Sequence, residues 1–554
     1  MRVETMSLGT PVQTSGSLLT APAARIAWRW WMLWLACFGA FSMMAPRDAS
    51  FDVAHYQLHN GWSVLNNRRG QDLAPAELHS FLNPAWQVFV WLLVDNLPGR
   101  LVAFILGVLQ GLGLPALYTL TRRLLERSGA TPAQLTALVI SLGGFAAEAQ
   151  FGLLASVRND AVCAAAFLGT LVLLLPDDQG VPGLKRLGFA SLLMGALVGL
   201  KLTNSVYVVF FAISVLVLLP TWKGRTAGAV VCALAGLAGI LVTGGPWALE
   251  MYNDFNNPIF PLMNSLFDAP LGPDVPFRDA RYVPGGIFDV ALHPFIFLFD
   301  GKLVNEYDFL DPRLQLGYLA SIGLLMLATW RAFGKGVAAA RSSVAFAAAF
   351  IGMIIIWGLM FSIARYVSAA WMLGPVLVAV LIATWRAGLV ADRLAPHISV
   401  ASVAVLFLLT QPSDLRRVAW TTWSGAYVEA ELPAEMDFSN ATIAFSGGYP
   451  SAFLASFFPE TARFTHLVPQ EWSTPALANY RYQIRDMIQA TGQDFYVVIV
   501  YTSDHVGETV RRLAEIENIT VDLPNCAWIK TSLDSSAVRW KVCPADTGLT
   551  PAAR

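Results

Sequence analysis

The segment from Asp48 to Trp62 gathers Asp48, Asp52, His55, Tyr56, His59 and Asn60 directly after an apolar run. A carboxylate at a helix end, followed within a turn by an imidazole and a phenol, is equipped to accept a proton or to hold a cation. Asp52 is the leading candidate for a general base, and a plain helix cap is the competing use of the same residue. His55 and His59, spaced i and i+4, make a metal-ligand pattern if Asp52 joins them. Polar residues facing solvent would read the same way.

Three further stretches carry cations or amides. Ser156-Val-Arg158-Asn159-Asp160 opens one apolar run, and Gly199-Leu-Lys201-Leu-Thr203-Asn204 separates two others. Ionisable groups at a membrane border tend to face a cavity or a partner rather than acyl chains. Arg158 and Lys201 therefore suit a lipid phosphate or pyrophosphate. Snorkelling of a long cation accounts for Lys201 equally well, and Asp160 offers Arg158 an ion pair. Arg365-Tyr366 starts another run and supplies one more cation. Between Gly244 and Tyr282, Asn253, Asn256, Asn257 and Asn264 alternate with Phe, Tyr and Pro, followed by Arg278, Asp279 and Arg281. Rings that stack on sugar faces beside amides that bind hydroxyls suit a saccharide, as they suit any ordered loop. Ser446-Gly447-Gly448 after a strand is a plain turn or a phosphate cradle lacking the fuller Gly-rich pattern.

These residues need elements to position them. Of 554 residues, 55% are hydrophobic and 14% charged, where a soluble domain carries roughly a quarter charged. Long apolar runs between Trp28 and Pro412 lack the polar stripe of a surface helix and approach the ~20 residues that cross a bilayer. The runs 28–45, 100–121, 132–148, 160–176, 186–200, 204–220, 226–246, 313–330, 344–362, 367–385 and 396–412 give about eleven spans, the 186–220 pair doubling as a half-depth hairpin. Basic residues collect on every second connection: Arg122, Arg123 and Arg127, then Lys185 and Arg186, Lys223 and Arg225, Arg331, Lys335 and Arg341, and Arg386 and Arg393. An inside N-terminus follows, with 46–99, 248–312 and everything after Pro412 outside. Residues 1–24 read as a disordered inner tail.

From Ser413 the composition is mixed. Ala441–Ser446 and Phe495–Tyr501 predict buried strands, Pro475–Gln489 and His505–Ile516 amphipathic helices, and Ala527–Thr531 with Val538–Cys543 a closing pair, together a small α/β domain over 413–554. Cys526 and Cys543 suit a disulfide if that domain is extracytoplasmic. Cys37, Cys163 and Cys232 lie in apolar runs as packing residues. A net charge of -1 gives no basic footprint for nucleic acid.

Taken together, Asp52 with Tyr56 and Asn60, Asp72-Leu-Ala-Pro75 leading to Asn83-Pro84, Gly199-Leu-Lys201-Leu-Thr203, Asn257-Pro258-Ile-Phe260-Pro261-Leu-Met-Asn264 and Arg365-Tyr366 resemble the GT-C superfamily of membrane glycosyltransferases. The likeness is to poorly characterised bacterial members and covers roughly residues 28–412. The resemblance implies an all-α polytopic domain over 25–412 in a bacterial inner membrane, its N-terminus cytoplasmic and its C-terminal domain periplasmic. It implies inverting transfer of a hexose or pentose from a polyprenyl-phosphate donor to a lipid or glycan acceptor on the periplasmic side, for the cell envelope. Asp52 would be the general base; Arg158, Lys201 and Arg365 would neutralise the departing phosphate; and His55, Tyr56, Asn60, Asn83, Asp160, Asn257 and Tyr366 would line the substrates. Many members carry two adjacent acidic residues after the first span, whereas here Asp52 is followed by Val53. That leaves a divalent ion, Mg or Mn, open, and no metal ligand is assigned. The alternatives are a transporter or flippase of a lipid-linked saccharide, which would place charges deep in its spans, and a membrane-anchored wall-binding module.

Overall fold

A computed structural model describes residues 26–547 apart from 131–133, 274, 334–338, 387–402, 414–415, 421–424, 449, 468–477, 491–493, 502–505 and 535–537. The N-terminal tail 1–24 and the basic residues Lys335 and Arg393 lie outside the described residues.

The chain is mostly helical up to Arg386, and every run read as a span before that point coincides with a helix. Among the described residues, five helical stretches are long and apolar enough to cross a membrane: Gly99–Arg127, Trp222–Phe255, Arg313–Phe333, Arg341–Met360 and Ala364–Arg386. The others are shorter. Trp28–Met44 and Leu184–Leu200 have 17 residues each, and Gln134–Phe145, Asp160–Leu174 and Leu202–Leu218 fall in the 10–17 range. At 1.5 Å per residue, the 14 residues of Ser205–Leu218 reach about 21 Å, short of the ~30 Å hydrocarbon thickness. By length and composition, five of the eleven runs thus coincide with helices long enough to cross, and the remaining apolar helices are shorter. Of the run 396–412, a helix over 403–409 is described.

The two segments expected as loops carry helices of their own. Ala85–Asn96 is apolar enough to bury Trp86, Val90, Trp91 and Val94, and Ile287–Ile296 lies in the second segment. Trp222–Phe255 leaves Val230, Leu234, Leu241 and Val242 exposed, apolar surface of the kind that lipid covers.

Close helix contact depends on glycine where backbones meet. Leu184–Leu200 packs along Trp222–Phe255, and a Cβ at Gly195 would collide with the Gly236 carbonyl, one at Gly239 with the Leu192 carbonyl. Small residues at such crossings are how helices associate when lipid removes the usual hydrophobic incentive.

The C-terminal region matches its expected pattern closely. Strands β1 (Arg47–Asp48) and β2 (Arg417–Val418) form a separate antiparallel pair. β3 (Ala430–Glu431), β4 (Thr442–Ser446), β5 (Arg463–Leu467), β6 (Phe495–Tyr501), β7 (Ile519–Val521), β8 (Ala527–Thr531) and β9 (Arg539–Thr547) form one mixed sheet in the order β5-β4-β6-β9-β8-β3, with β7 also on β9. β4 is parallel to both β5 and β6. Helices Arg481–Ala490 and Val506–Glu517 accompany it; the expected helix start at Pro475 lies outside the described residues. Cys526 and Cys543 are joined as a disulfide.

This region does not stand apart. One hydrophobic core unites Ala49, Val53, Trp62, Val90 and Val102 with Tyr427, Ile443, Phe464, Trp540 and Val542. Polar contacts reinforce it. Arg68 pairs with Asp72 at 2.6 Å and donates to the Glu460 and Ala462 carbonyls, Asp72 accepts from the Phe464 N–H, and Leu73 bridges to β5.

Candidate functional site

Residues far apart in sequence meet just past the end of Trp28–Met44. Phe51 to Leu65 is one helical run that widens to π geometry over Val53–Gln57. Such π segments are rare and recur at functional sites. Asp52 sits at its start in ordinary right-handed conformation, and its side chain makes no capping hydrogen bond. The capping alternative therefore fails for Asp52. Its carboxylate instead pairs with Arg365 at 2.9 Å.

Arg365 links two acids. Its Nε stands 4.0 Å from Asp160 Oδ2, and neither atom completes a hydrogen bond. Asp160 Oδ1 accepts from Lys201 Nζ at 2.6 Å. Lys201 and Arg365 both lie on the Tyr366 ring, 4.9 and 5.4 Å from its centroid, as cations do over aromatic faces. Three elements deliver this set: Asp160 opens Asp160–Leu174, Lys201 follows Leu184–Leu200 held by its glycine contacts, and Arg365-Tyr366 opens Ala364–Arg386. Exposure divides their roles. Asp52, Lys201 and Arg365 keep 13%, 18% and 19% of their side chains accessible, against 3% for Asp160.

Arg158 does not join the accessible set. It pairs at 2.9 Å with Asp48, both buried, and Asp48 also accepts from Ser156 Oγ at 2.5 Å and the Ser50 N–H at 2.8 Å. Burial pushes the Asp48 carboxyl up, but Arg158, Arg417 and these hydrogen bonds outweigh it and hold the group below its usual range. Asp48 was the partner the sequence did not identify; Asp160, one of the partners open to Arg158, goes to Lys201. Tyr56 is buried beside Asp52, and burial first, then the carboxylate charge, keeps its phenol well above its ordinary value. It is a neutral hydroxyl here.

The amides are structural. Asn60 donates to the His79 carbonyl at 2.9 Å, and Asn83 straps the Gly199 and Thr243 carbonyls at 2.6 and 3.0 Å. Asn257 closes a local turn with the Leu262 carbonyl and the Ile259 N–H. These three were expected on substrate; each makes a hydrogen bond to backbone, and Asn60 Oδ1 has no partner among the described residues. From the segment 248–312, Asp279 and Glu306 lie within electrostatic reach of Arg365, and Asp279 grips Arg281 at 2.7 Å.

His55 points elsewhere, into a group with Glu77, His79 and His466. Burial, then the neighbouring imidazoles His79, His466 and His59, hold His55 well below its usual value. The group whose ligand atoms converge among the described residues is His55, Glu77 and His79, without His59 or Asp52; burial drives His59 down to about 3, against the Ala452 backbone that favours its charged form. Asp52 and Asp160 each face a cationic side chain, so they do not fit the Mg or Mn ion of the resemblance.

Ser446-Gly447-Gly448 is a turn, with Gly447 at φ +84° and its N–H on the Leu467 carbonyl at 3.4 Å.

Three of the basic residues expected on one side, Arg122, Arg123 and Arg331, lie at the far ends of these helices. Arg122 and Arg123 pair with Asp177, just beyond Asp160–Leu174, and Arg331 reaches the Trp385 carbonyl at the end of Ala364–Arg386. Compared with models of known protein families and with curated proteins, the chain matches none.

Proposed function

We propose that the chain is a polytopic membrane glycosyltransferase of the GT-C type, transferring one sugar from a polyprenyl-phosphate donor to a hydroxyl acceptor on the outer face of a bacterial inner membrane. The observation that carries this reading is the chain Asp52, Arg365, Asp160, Lys201, in which the accessible carboxylate of Asp52 and two accessible cations share one neighbourhood over the buried Asp160. A single site of that composition serves nucleophile and leaving group together.

The acceptor O–H attacks the anomeric carbon and the bond to the donor phosphate oxygen breaks. The proton passes to Asp52, and the departing phosphate dianion meets Arg365 and Lys201. Arg365 is shared in this scheme. A donor phosphate that engages its guanidinium bidentately draws it from Asp52 and frees that carboxylate as a base only when donor is present. Tyr366 keeps both cations in place, and Arg158 stays with Asp48 as support. Eleven spans, a cytoplasmic N-terminus and a periplasmic C-terminal region belong to this proposal. The segregation of basic residues to the opposite helix ends and the Cys526–Cys543 disulfide support them.

The test is Asp52→Asn assayed with polyprenyl-phosphate sugars in detergent. Transfer falls by about 10²- to 10⁴-fold, the scale of lost general-base catalysis, with unchanged melting and membrane insertion. Undiminished transfer removes Asp52 from the reaction. A transporter would instead move a lipid-linked saccharide across vesicles without making a glycosidic bond.

A further inference from the structure

We propose that His55, Glu77 and His79 bind one zinc-class divalent ion, with His466 of the C-terminal sheet holding the Glu77 carboxylate in place. One ligand atom from each of His55, Glu77 and His79 lies within 4.8 Å of the other two. Around zinc, with bonds of ~2.1 Å, tetrahedral donors sit about 3.4 Å apart, a gap that small side-chain rotations close. His55 is 1% exposed and neither ring nitrogen finds a partner of hydrogen-bond geometry, although the Ala76 backbone is near enough to favour its protonation. Buried donors and acceptors are normally satisfied, and a metal would satisfy a ring nitrogen of His55 that the surrounding protein does not bond geometrically.

The surroundings are arranged to present the carboxylate. Ala74 and Glu77 adopt left-handed backbone at φ +49° and +51°, uncommon outside glycine and costly unless the fold imposes it. His466 Nε2 stands 3.5 Å from Glu77 Oε1 while its Nδ1 faces the Pro75 carbonyl at 3.3 Å, the outer-shell support that ligating carboxylates receive. Imidazole nitrogens with one carboxylate select zinc over magnesium, which prefers an all-oxygen shell. Three protein ligands leave the fourth position to water. The ion ties the π segment that follows Asp52 to the turn at Glu77–Phe81 and, through His466 on β5, to the C-terminal sheet. It stands independently of glycosyl transfer.

The experiment is equilibrium dialysis of the full chain in detergent against micromolar zinc chloride, with metal counted by mass spectrometry. About one zinc per chain is expected in the wild type and in His293→Ala, a histidine in a different helix, and less than a tenth of that in His55→Ala and His79→Ala. Absence of bound zinc in the wild type, or full retention in both variants, overturns the proposal. Because either variant can misfold, the wild type is also stripped with a chelator and titrated with zinc while its melting temperature is followed. A rise saturating at one equivalent supports the site, and no saturable change overturns it.

Discussion

At the scale of single residues, burial separates the ion pairs into two kinds. Asp48 and Arg158 are 1% and 5% exposed and hold each other, so removing one strands a buried charge. Asp48→Asn is expected to cost about 3–5 kcal/mol of stability, read as a lower melting temperature in detergent. Arg365→Lys keeps the charge and loses the planar fork. It should weaken donor affinity about tenfold with little change in melting, and the reverse pattern would make Arg365 structural. His59 predicts a pH effect. Its folded value near 3 lies below the 6.5 of free histidine, so between those limits the unfolded chain binds one more proton. Stability is then full above pH 6.5 and falls by about 1.4 kcal/mol per pH unit on acidification toward 3. His59→Gln should flatten the wild-type slope by about one proton in urea unfolding measured from pH 7.5 to 5.

The same scale shows what the sequence could carry. Asp52, Asp160, Lys201, Arg365 and Tyr366 were legible because each interrupts or borders an apolar run, where a charge needs a reason. The backbone bonds of Asn60, Asn83 and Asn257 were not legible, because an amide that satisfies a carbonyl and one that waits for a sugar are the same letter. Their partners are set by tertiary packing. The histidine group was invisible for the same reason, since His55 and His466 come together only when β5 docks.

Among the elements, the pairing of Leu184–Leu200 with Trp222–Phe255 positions Lys201 without touching substrate. A leucine at Gly195 or Gly239 must push two backbones apart, which moves the helix end that carries Lys201. Gly195→Leu is expected to lower the melting temperature by several degrees and reduce transfer at least tenfold, while Gly183→Leu, where a new Cβ meets open space, leaves both near wild type. Element existence was readable from apolar runs, and boundaries in the C-terminal region fell within a few residues. β5 escaped because Arg-Phe-Thr-His-Leu has neither alternation nor a continuous apolar run, its burial coming from a neighbour strand on one side and the first outer segment on the other. Ala85–Asn96 escaped because a short apolar run inside an expected loop reads as surface.

For the whole molecule, the shared core joins the segment 46–99 and the start of Gly99–Arg127 to the C-terminal sheet, so these parts are expected to unfold together. Ending the chain at Pro412 would expose Trp62, Val90 and Val102 together. The truncated protein should show rapid proteolysis within 46–99 under conditions where the intact chain resists, and equal resistance would make the sheet an independent appendage.

The helix Trp222–Phe255 has 34 residues, about 51 Å at 1.5 Å each, far more than the ~30 Å of hydrocarbon. Its last turns carry Glu250 and Asp254, both gripped by Arg69, and those charges belong in water. With its apolar stretch seated in lipid, this rod becomes a yardstick fixed at one end by acid and guanidinium. On the membrane reading proposed above, it would set how high the segment carrying Arg69 rides above the headgroups, and so the depth at which a lipid-borne sugar would present its phosphate.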